Sequence, residues 1–488
     1  MKKLKELFSD TLIYGISSVF ARFIGYLLVP LHTGVFAENQ YGIVTLVFAA
    51  IALFNVLFTM GMESTYIRYG KDRDKAEDIF KTLQLFLLGT SLLFVVLIWL
   101  LQPLIAPRIG LPSGDPILWM MLGILFFDTI AVVPFAELRI VRRPKTFAVL
   151  KTANVIVNLG LNFYLILGLD YGIEAVFISN LVASFLTAIA TALFTLPLFK
   201  GSWDKDLLKK ALYFGLPFIP AGFGHAINEL VDRFFLKGMD PGTVASLYGA
   251  EYTPDDVVGI YGACYKLAVF MLLIVQMFRM AWQPFFMRES DEESAPVTFA
   301  QTFSAFNVAA AAVFLGVALF AEQIVSVKIP FLDFYLVGQE YWLGLKVVPL
   351  LLIAYWFQGW YINFSAGIFI SENTQSLARI TLFGAGITII CNIILVPLWG
   401  MMGAATATLI SYSSMALLIF YYSTKAYAVP YNIWEGLGII VCCATAVWLK
   451  PLLVNAILMP GILASVFLFV VTLGLVLALS FYSINKAK

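Results

Sequence analysis

About fourteen long apolar blocks follow one another between Thr11 and Tyr482, and the lysines and arginines between them gather in alternate connections. A hydrocarbon core about 30 Å thick takes roughly 20 apolar residues to cross as a helix. Within it every backbone N–H and C=O must be paired inside the protein, which excludes open sheet edges and lipid-exposed loops. The pattern specifies an all-α polytopic membrane protein. Because 61% of the 488 residues are hydrophobic and 12% charged, the usual inference of water-soluble domains from length does not apply.

The formal net charge of +1 carries no information as a total; the placement of the basic residues does. Lys2, Lys3 and Lys5 precede the first block, and Arg68, Lys71, Arg73, Lys75 and Lys81 follow the second. Arg139, Arg142, Arg143 and Lys145 end the fourth, Lys200, Lys205, Lys209 and Lys210 follow the sixth, and Lys486 and Lys488 close the chain. An even number of spans with both termini in the cytoplasm satisfies the positive-inside rule throughout. A signal peptide is disfavoured, since the first apolar run is too long and Arg22 interrupts it. Cys264, Cys391, Cys442 and Cys443 all fall inside predicted spans, so neither a disulfide framework nor a metal site is implied. No cofactor and no nucleic-acid partner is indicated.

Spans are predicted at 11–36, 42–69, 82–103, 116–140, 146–168, 172–199, 211–238, 257–287, 299–327, 342–370, 375–398, 400–425, 432–450 and 456–482. Prolines 30, 134, 217, 220, 284, 349 and 397 are expected to bend these helices rather than end them. A faint internal echo pairs LIYGISSVFARFIGYLLVP with LYFGLPFIPAGFGHAINEL, and NFYLILGLDYGIEAVFISNLVAS with NIILVPLWGMMGAATATLIS. The matched pieces keep their order, so the predicted plan is a parallel pseudo-repeat about an axis along the membrane normal. It places a six-helix lobe at 1–200, a second at 201–428, and two additional helices at 429–488.

Ionisable side chains inside a span are costly and face protein, a cavity or a partner. Arg22, Asp128 and His225 fall near the expected midplane, with Glu229 and Lys266 toward the outer half, Asp232 and Arg233 near an outer end, and Arg279 in an inner half. Arg22, Lys266, Arg279 and Arg233 are candidate substrate contacts, the guanidinium offering a planar fork suited to phosphate. Asp128, Glu229 and Asp232 are candidates for taking up H⁺ or Na⁺ as a coupling ion. Asp232 and Arg233 are adjacent and point about 100° apart on a helix, which predicts separate partners. Arg68, Arg139, Arg142, Arg143, Lys151 and Arg379 are explained mostly by orientation. There is no P-loop motif, no HExxH and no Cys and His cluster, and the longest outward connection, KGMDPGTVASLYGAEYTPDD, is small for a catalytic loop. An enzyme is not expected.

The segment GQEYWLGLKVVPLLLIAYWFQGWYINFSAGIFISENTQ, followed by NIILVPLWGMMGAATATLIS, resembles the bacterial polysaccharide transporters that flip lipid-linked oligosaccharides. These belong to the multidrug, oligosaccharidyl-lipid and polysaccharide exporter superfamily. SSVFARFIGYLLVPL and the Asp232, Arg233, Phe234 triplet are similar to the matching family positions. The resemblance implies two six-helix bundles around a central cavity, often with two added C-terminal helices. It also implies movement of a polyprenyl-diphosphate-linked glycan across the bacterial cytoplasmic membrane for cell-surface polysaccharide, lipopolysaccharide included, with a polysaccharide polymerase as a partner. Arg22 in ARFIG is similar to the start of the peptidoglycan-precursor flippases, but YLLVPL then departs from their charged continuation. An ion-coupled multidrug exporter, a lipid II type flippase and a membrane glycan polymerase are the competing readings.

Overall fold

The computed structural model describes residues 26–330, 332–371, 375–456 and 459–486. Among them twelve helical stretches are long and apolar enough to cross a membrane. These account for the predicted spans except the first, most of which lies outside the described residues, and the seventh, which is broken. The chain divides into two compact units, Met1–Gly238 with Thr253–Gly259, and Met239–Tyr252 with Ile260–Lys488.

The first unit contains α1 (Leu28–Val35), α2 (Glu38–Thr59), α3 (Met62–Tyr69), α4 (Ala76–Leu100), the short α5 (Gln102–Ile105), α6 (Pro116–Ile130) and α7 (Val132–Ile140). It continues with α8 (Pro144–Phe163), α9 (Glu174–Thr195), α10 (Lys205–Gly215) and α11 (Phe218–Lys237). Helix α9 packs on α6 and α8, α11 on α2, and α3 on α7. The predicted span at 42–69 is interrupted where Met60 and Gly61 take left-handed conformations, φ 48° and 69°. The predicted span at 211–238 is likewise two helices, parted at Leu216 and Pro217. Pro217 has no N–H to continue the ladder and disfavours helical geometry in the residue before it. The expectation that this proline would only bend a helix is corrected here. The two interruptions abut: a Cβ on Gly61 would stand 2.6 Å from the Gly215 carbonyl oxygen, and one on Gly215 would stand 3.0 Å from that of Met60.

The second unit contains α12 (Pro241–Tyr248), most of α13 (Pro254–Glu289), α14 (Ala295–Ala318), α15 (Ala321–Val325), α16 (Val348–Ile370), α17 (Gln375–Trp399), α18 (Met401–Ala426), α19 (Ile433–Ala456) and α20 (Gly461–Lys486). Helix α18 packs along both α16 and α17, where Gly403 lets its backbone meet Leu395: an added Cβ would lie 2.1 Å from the Leu395 oxygen. Pro284 and Pro397 remain inside helices, as expected. Helices α19 and α20 pack on each other and on α14. Asn307 of α14 ties that helix to α16: its Oδ1 accepts from Trp356 Nε1 (2.8 Å) and Trp360 Nε1 (2.7 Å). Gly436 of α19 fits against the same Trp360 ring.

Candidate functional site

Helices α8 and α9 invert the usual pattern of a helix in water. On α8, Lys151, Asn154, Asn158 and Asn162 recur every three or four residues and share one face, while the exposed Val149 and Ile156 occupy the other. On α9, Asn180, Ser184, Thr187, Thr191 and Thr195 make a second stripe, opposite the exposed Phe185, Ile189 and Leu193. An apolar exterior and a polar interior are what a lipid solvent selects.

The two stripes meet. Asn154 Nδ2 donates to Thr187 Oγ1 (2.9 Å), and Ser184 Oγ to Asn180 Oδ1 (3.4 Å). Asn162 Nδ2 donates to the Oδ1 of Asn158 (2.8 Å) and its own Oδ1 accepts from His32 Nε2 (2.9 Å). Thr187, Thr191 and Thr195 return their hydroxyls to carbonyls of their own helix at 2.7–3.0 Å, so their burial leaves no donor unmet. Asp128 of α6 lies midway along its span, exposed, with Ser184 within hydrogen-bonding reach and Lys151 acting on it electrostatically. Lys151 Nζ sits 4.3 Å above the Phe135 ring and also feels Glu63. The result is a polar seam at mid-depth: amides that both donate and accept, one carboxylate and one ammonium.

Toward the end of the unit that bears the basic connections, ion pairs lace the helices. Glu137, buried, accepts from Arg73 at 2.7 and 2.9 Å and from the Tyr66 hydroxyl at 2.9 Å. Arg139 Nη1 meets Glu63 Oε1 at 2.5 Å, and its guanidinium lies over Phe147. Basic residues explained mostly by orientation therefore also tie α3, α7, α8 and the turn before α4 together.

Helix α11 carries the second cluster. Arg233 and Asp232 are buried, Glu229 is half-buried and His225 exposed. Arg233 Nη1 donates to Asp232 Oδ1 (2.7 Å) and to the Glu229 carbonyl (2.6 Å). Separate partners were expected from the 100° step between adjacent residues. The long arginine stem instead folds back along its own helix and closes a mutual pair.

In the second unit Lys266 and Arg279 both lie on α13 and both are exposed. Lys266 shares a face with the exposed Phe270, Met277 and Met280, whereas Arg279 lies well round the helix from it, within electrostatic reach of Tyr361. Arg22 lies outside the described residues. The structure thus brings Glu229, Asp232 and Arg233 into one turn, sets Asp128 apart in the seam, and separates Lys266 from Arg279 on different faces. Asn154 and Ser184 are not among the sequence candidates, and Lys151 is there a residue explained mostly by orientation, although the spacing 151, 154, 158, 162 is present in the sequence as a helical polar stripe. Among the described residues no group of three or more His, Cys, Asp or Glu side chains is placed to hold a metal ion.

A family model described as polysaccharide biosynthesis protein matches residues 7–290. No curated protein matches by sequence. Among solved structures, a lipid II flippase MurJ in an inward closed conformation is similar at TM-score 0.69 and 16% identity, covering 94% of this chain and 98% of its own. An inward-facing multidrug resistance MATE family transporter follows at TM-score 0.60 and 14% identity, over 85% and 94%. A transporter of the same superfamily from Pyrococcus furiosus, whose binding pocket is described as reversed in polarity, matches at TM-score 0.55 and 15% identity, over 86% and 94%. At these identities the likeness is one of fold.

Proposed function

We propose that this chain, which belongs to the polysaccharide biosynthesis protein family, is an alternating-access flippase for a polyprenyl-diphosphate-linked oligosaccharide in the bacterial cytoplasmic membrane. The observation that carries the reading is the polar seam of α8 and α9 at mid-depth in a membrane-spanning unit, with apolar side chains outside it. A glycan headgroup entering hydrocarbon loses several kcal/mol per unpaired polar group. Amide and hydroxyl side chains at that depth replace the lost water while the polyprenyl tail stays among lipids.

In this reading the two six-helix lobes, 1–200 and 201–428, rock about the substrate with 429–488 as a fixed pair, and both termini face the cytoplasm. Arg22, Lys266 and Arg279 meet the diphosphate in turn. Arg233, held by Asp232, positions its helix rather than gripping cargo. Asp128, with Ser184 beside it, takes up H⁺ or Na⁺; Glu229 and Asp232 are the further candidates. A glycan polymerase consumes the product outside.

The test is flipping of a fluorescent lipid-linked oligosaccharide by the purified chain in proteoliposomes. Wild type should move label to the far leaflet, and Arg22→Ala should abolish movement while still inserting. Wild-type rates in Arg22→Ala remove that residue from the mechanism. Export of cationic dyes in place of lipid-linked glycan, lost in Asp128→Asn, makes the chain a multidrug exporter instead; the carboxylate midway along the span Pro116–Ile140 is what favours that second reading.

A further inference from the structure

At the end of the first unit remote from its basic connections, α5, the 3-10 turn Ala106–Ile109 and the end of α11 enclose an open cleft of about 600 Å³. Pro103, Leu104, Pro107 and Phe234 form its apolar walls, and Arg108 and Lys237 are its cations. The shape is set in advance of any ligand. Pro103 and Pro107 open the short helix and the 3-10 turn, where their fixed φ costs no hydrogen bond. Gly110 then takes φ +79°, and a Cβ there would stand 3.3 Å from both Asp255 Oδ1 and the Ile43 side chain, so the turn lies tight against Asp255. That carboxylate accepts Lys237 Nζ at 2.6 Å on each oxygen, clamping the end of α11 to the start of α13.

The two cations are therefore unequal. Lys237 is neutralised by Asp255. Arg108 Nη1 donates to the Leu104 carbonyl one turn back (2.5 Å), which fixes the guanidinium, and among the described residues no carboxylate pairs with it. A guanidinium carries five N–H donors in a planar fork that fits phosphate oxygens, so most of the fork remains available.

Depth supplies the second argument. Trp99 and Trp119, both exposed and with ring centroids 5.6 Å apart, sit at the end of α4 and the start of α6, flanking the segment that carries Arg108. Tryptophans of this kind mark the membrane–water interface. The cleft thus lies at headgroup level, with an uncompensated guanidinium above an apolar trough. We propose that it binds the phosphate of a membrane lipid, with the first carbons of the lipid chain lying along Pro103, Leu104 and Pro107. A resident anionic phospholipid and the polyprenyl diphosphate of the transported carrier share this chemistry.

The test uses the full chain with Cys264, Cys391, Cys442 and Cys443 replaced by alanine and an environment-sensitive fluorophore on Leu104→Cys, titrated in micelles with phosphatidylglycerol, phosphatidylcholine or farnesyl diphosphate. A saturable response to phosphatidylglycerol identifies a resident phospholipid; saturation by farnesyl diphosphate alone identifies the carrier. In either case Arg108→Gln should weaken binding about tenfold, the loss of one charge-assisted contact, and Arg108→Lys should recover part of it. Native mass spectrometry of the unlabelled chain, counting retained lipid with and without Arg108→Gln, reads the same site without the probe. No saturation with either anionic lipid, or equal retention by wild type and Arg108→Gln, overturns the proposal. Binding is read without transport, so its failure leaves the flippase reading untouched, and the reverse holds.

Discussion

Asn307 joins α14 to α16 through a single buried amide. Its Oδ1 is the shared acceptor of two fully buried indoles, Trp356 and Trp360, and its Nδ2 donates to the Phe303 carbonyl at 3.0 Å. Asn307→Leu keeps the volume but orphans both indole donors, so it should cost about 1–3 kcal/mol, read as a lower thermal transition of the purified chain in detergent. An unchanged transition would mean the indoles find other acceptors. The Asp232–Arg233 pair makes a different prediction, because here each partner is a charge out of water. Asp232→Asn alone removes the carboxylate bonded to a buried guanidinium and should cost roughly 3–5 kcal/mol, whereas the double change Asp232→Asn with Arg233→Gln should recover much of that. Equal loss in single and double variants would show that the pair does not act as a unit. Sequence reading found these two residues by their charge and missed their pairing, because helical geometry fixes where a Cβ points and not where a long stem ends. For Lys151 the reason is the opposite: the positive-inside rule accounts for the lysine by itself and so conceals the stripe that it begins.

At the level of the helix, hydropathy made the spans legible and hid their interruptions. Apolar windows run straight through Met60–Gly61 and Leu216–Pro217, since a left-handed residue or a missing N–H leaves hydropathy unchanged. Only the contact between the breaks, Gly61 against Gly215, shows that they form one joint in the first unit. Glycine is required at such a crossing. The same holds where α2 meets the start of α13: a Cβ on Gly42 would lie 2.1 Å from the Asp255 oxygen, and one on Gly259 would lie 1.9 Å from that of Glu38. Neither obstacle is a side chain that can swing aside. Gly259→Ala must therefore separate two backbones, at a cost of about 1–3 kcal/mol or more. The expected outcome is reduced yield of folded chain with a lowered thermal transition, while Gly386→Ala, with nothing within 4 Å of the added carbon, should behave as wild type. Matching behaviour of the two variants would count against the crossing. On α8 and α9 the polar stripes repeat with the helical period, so the seam was readable; what the sequence withheld was that the two stripes face each other.

For the molecule as a whole, the division into two units makes rigid-body motion the economical way to change access, since close-packed interiors switch between arrangements more readily than they deform. Inside the first unit the Arg73–Glu137 and Arg139–Glu63 pairs and the Asn154–Thr187 bond tie successive helices together. Distances within that unit should therefore hold through a transport cycle while distances across the two units change. Spin labels at Leu104→Cys and Val149→Cys, both exposed in the first unit, should give one distance distribution with and without lipid-linked oligosaccharide. Labels at Val149→Cys and Leu417→Cys, the latter exposed in the second unit, should give a distribution that shifts or splits when substrate is added. If both pairs stay fixed while the same proteoliposomes flip label, the halves do not rock and the seam must pass its cargo by local rearrangement. A change in the first pair alone would place the moving joint inside the first unit, at the abutting breaks of Gly61 and Gly215, and would turn Gly215→Ala into the variant that stops transport.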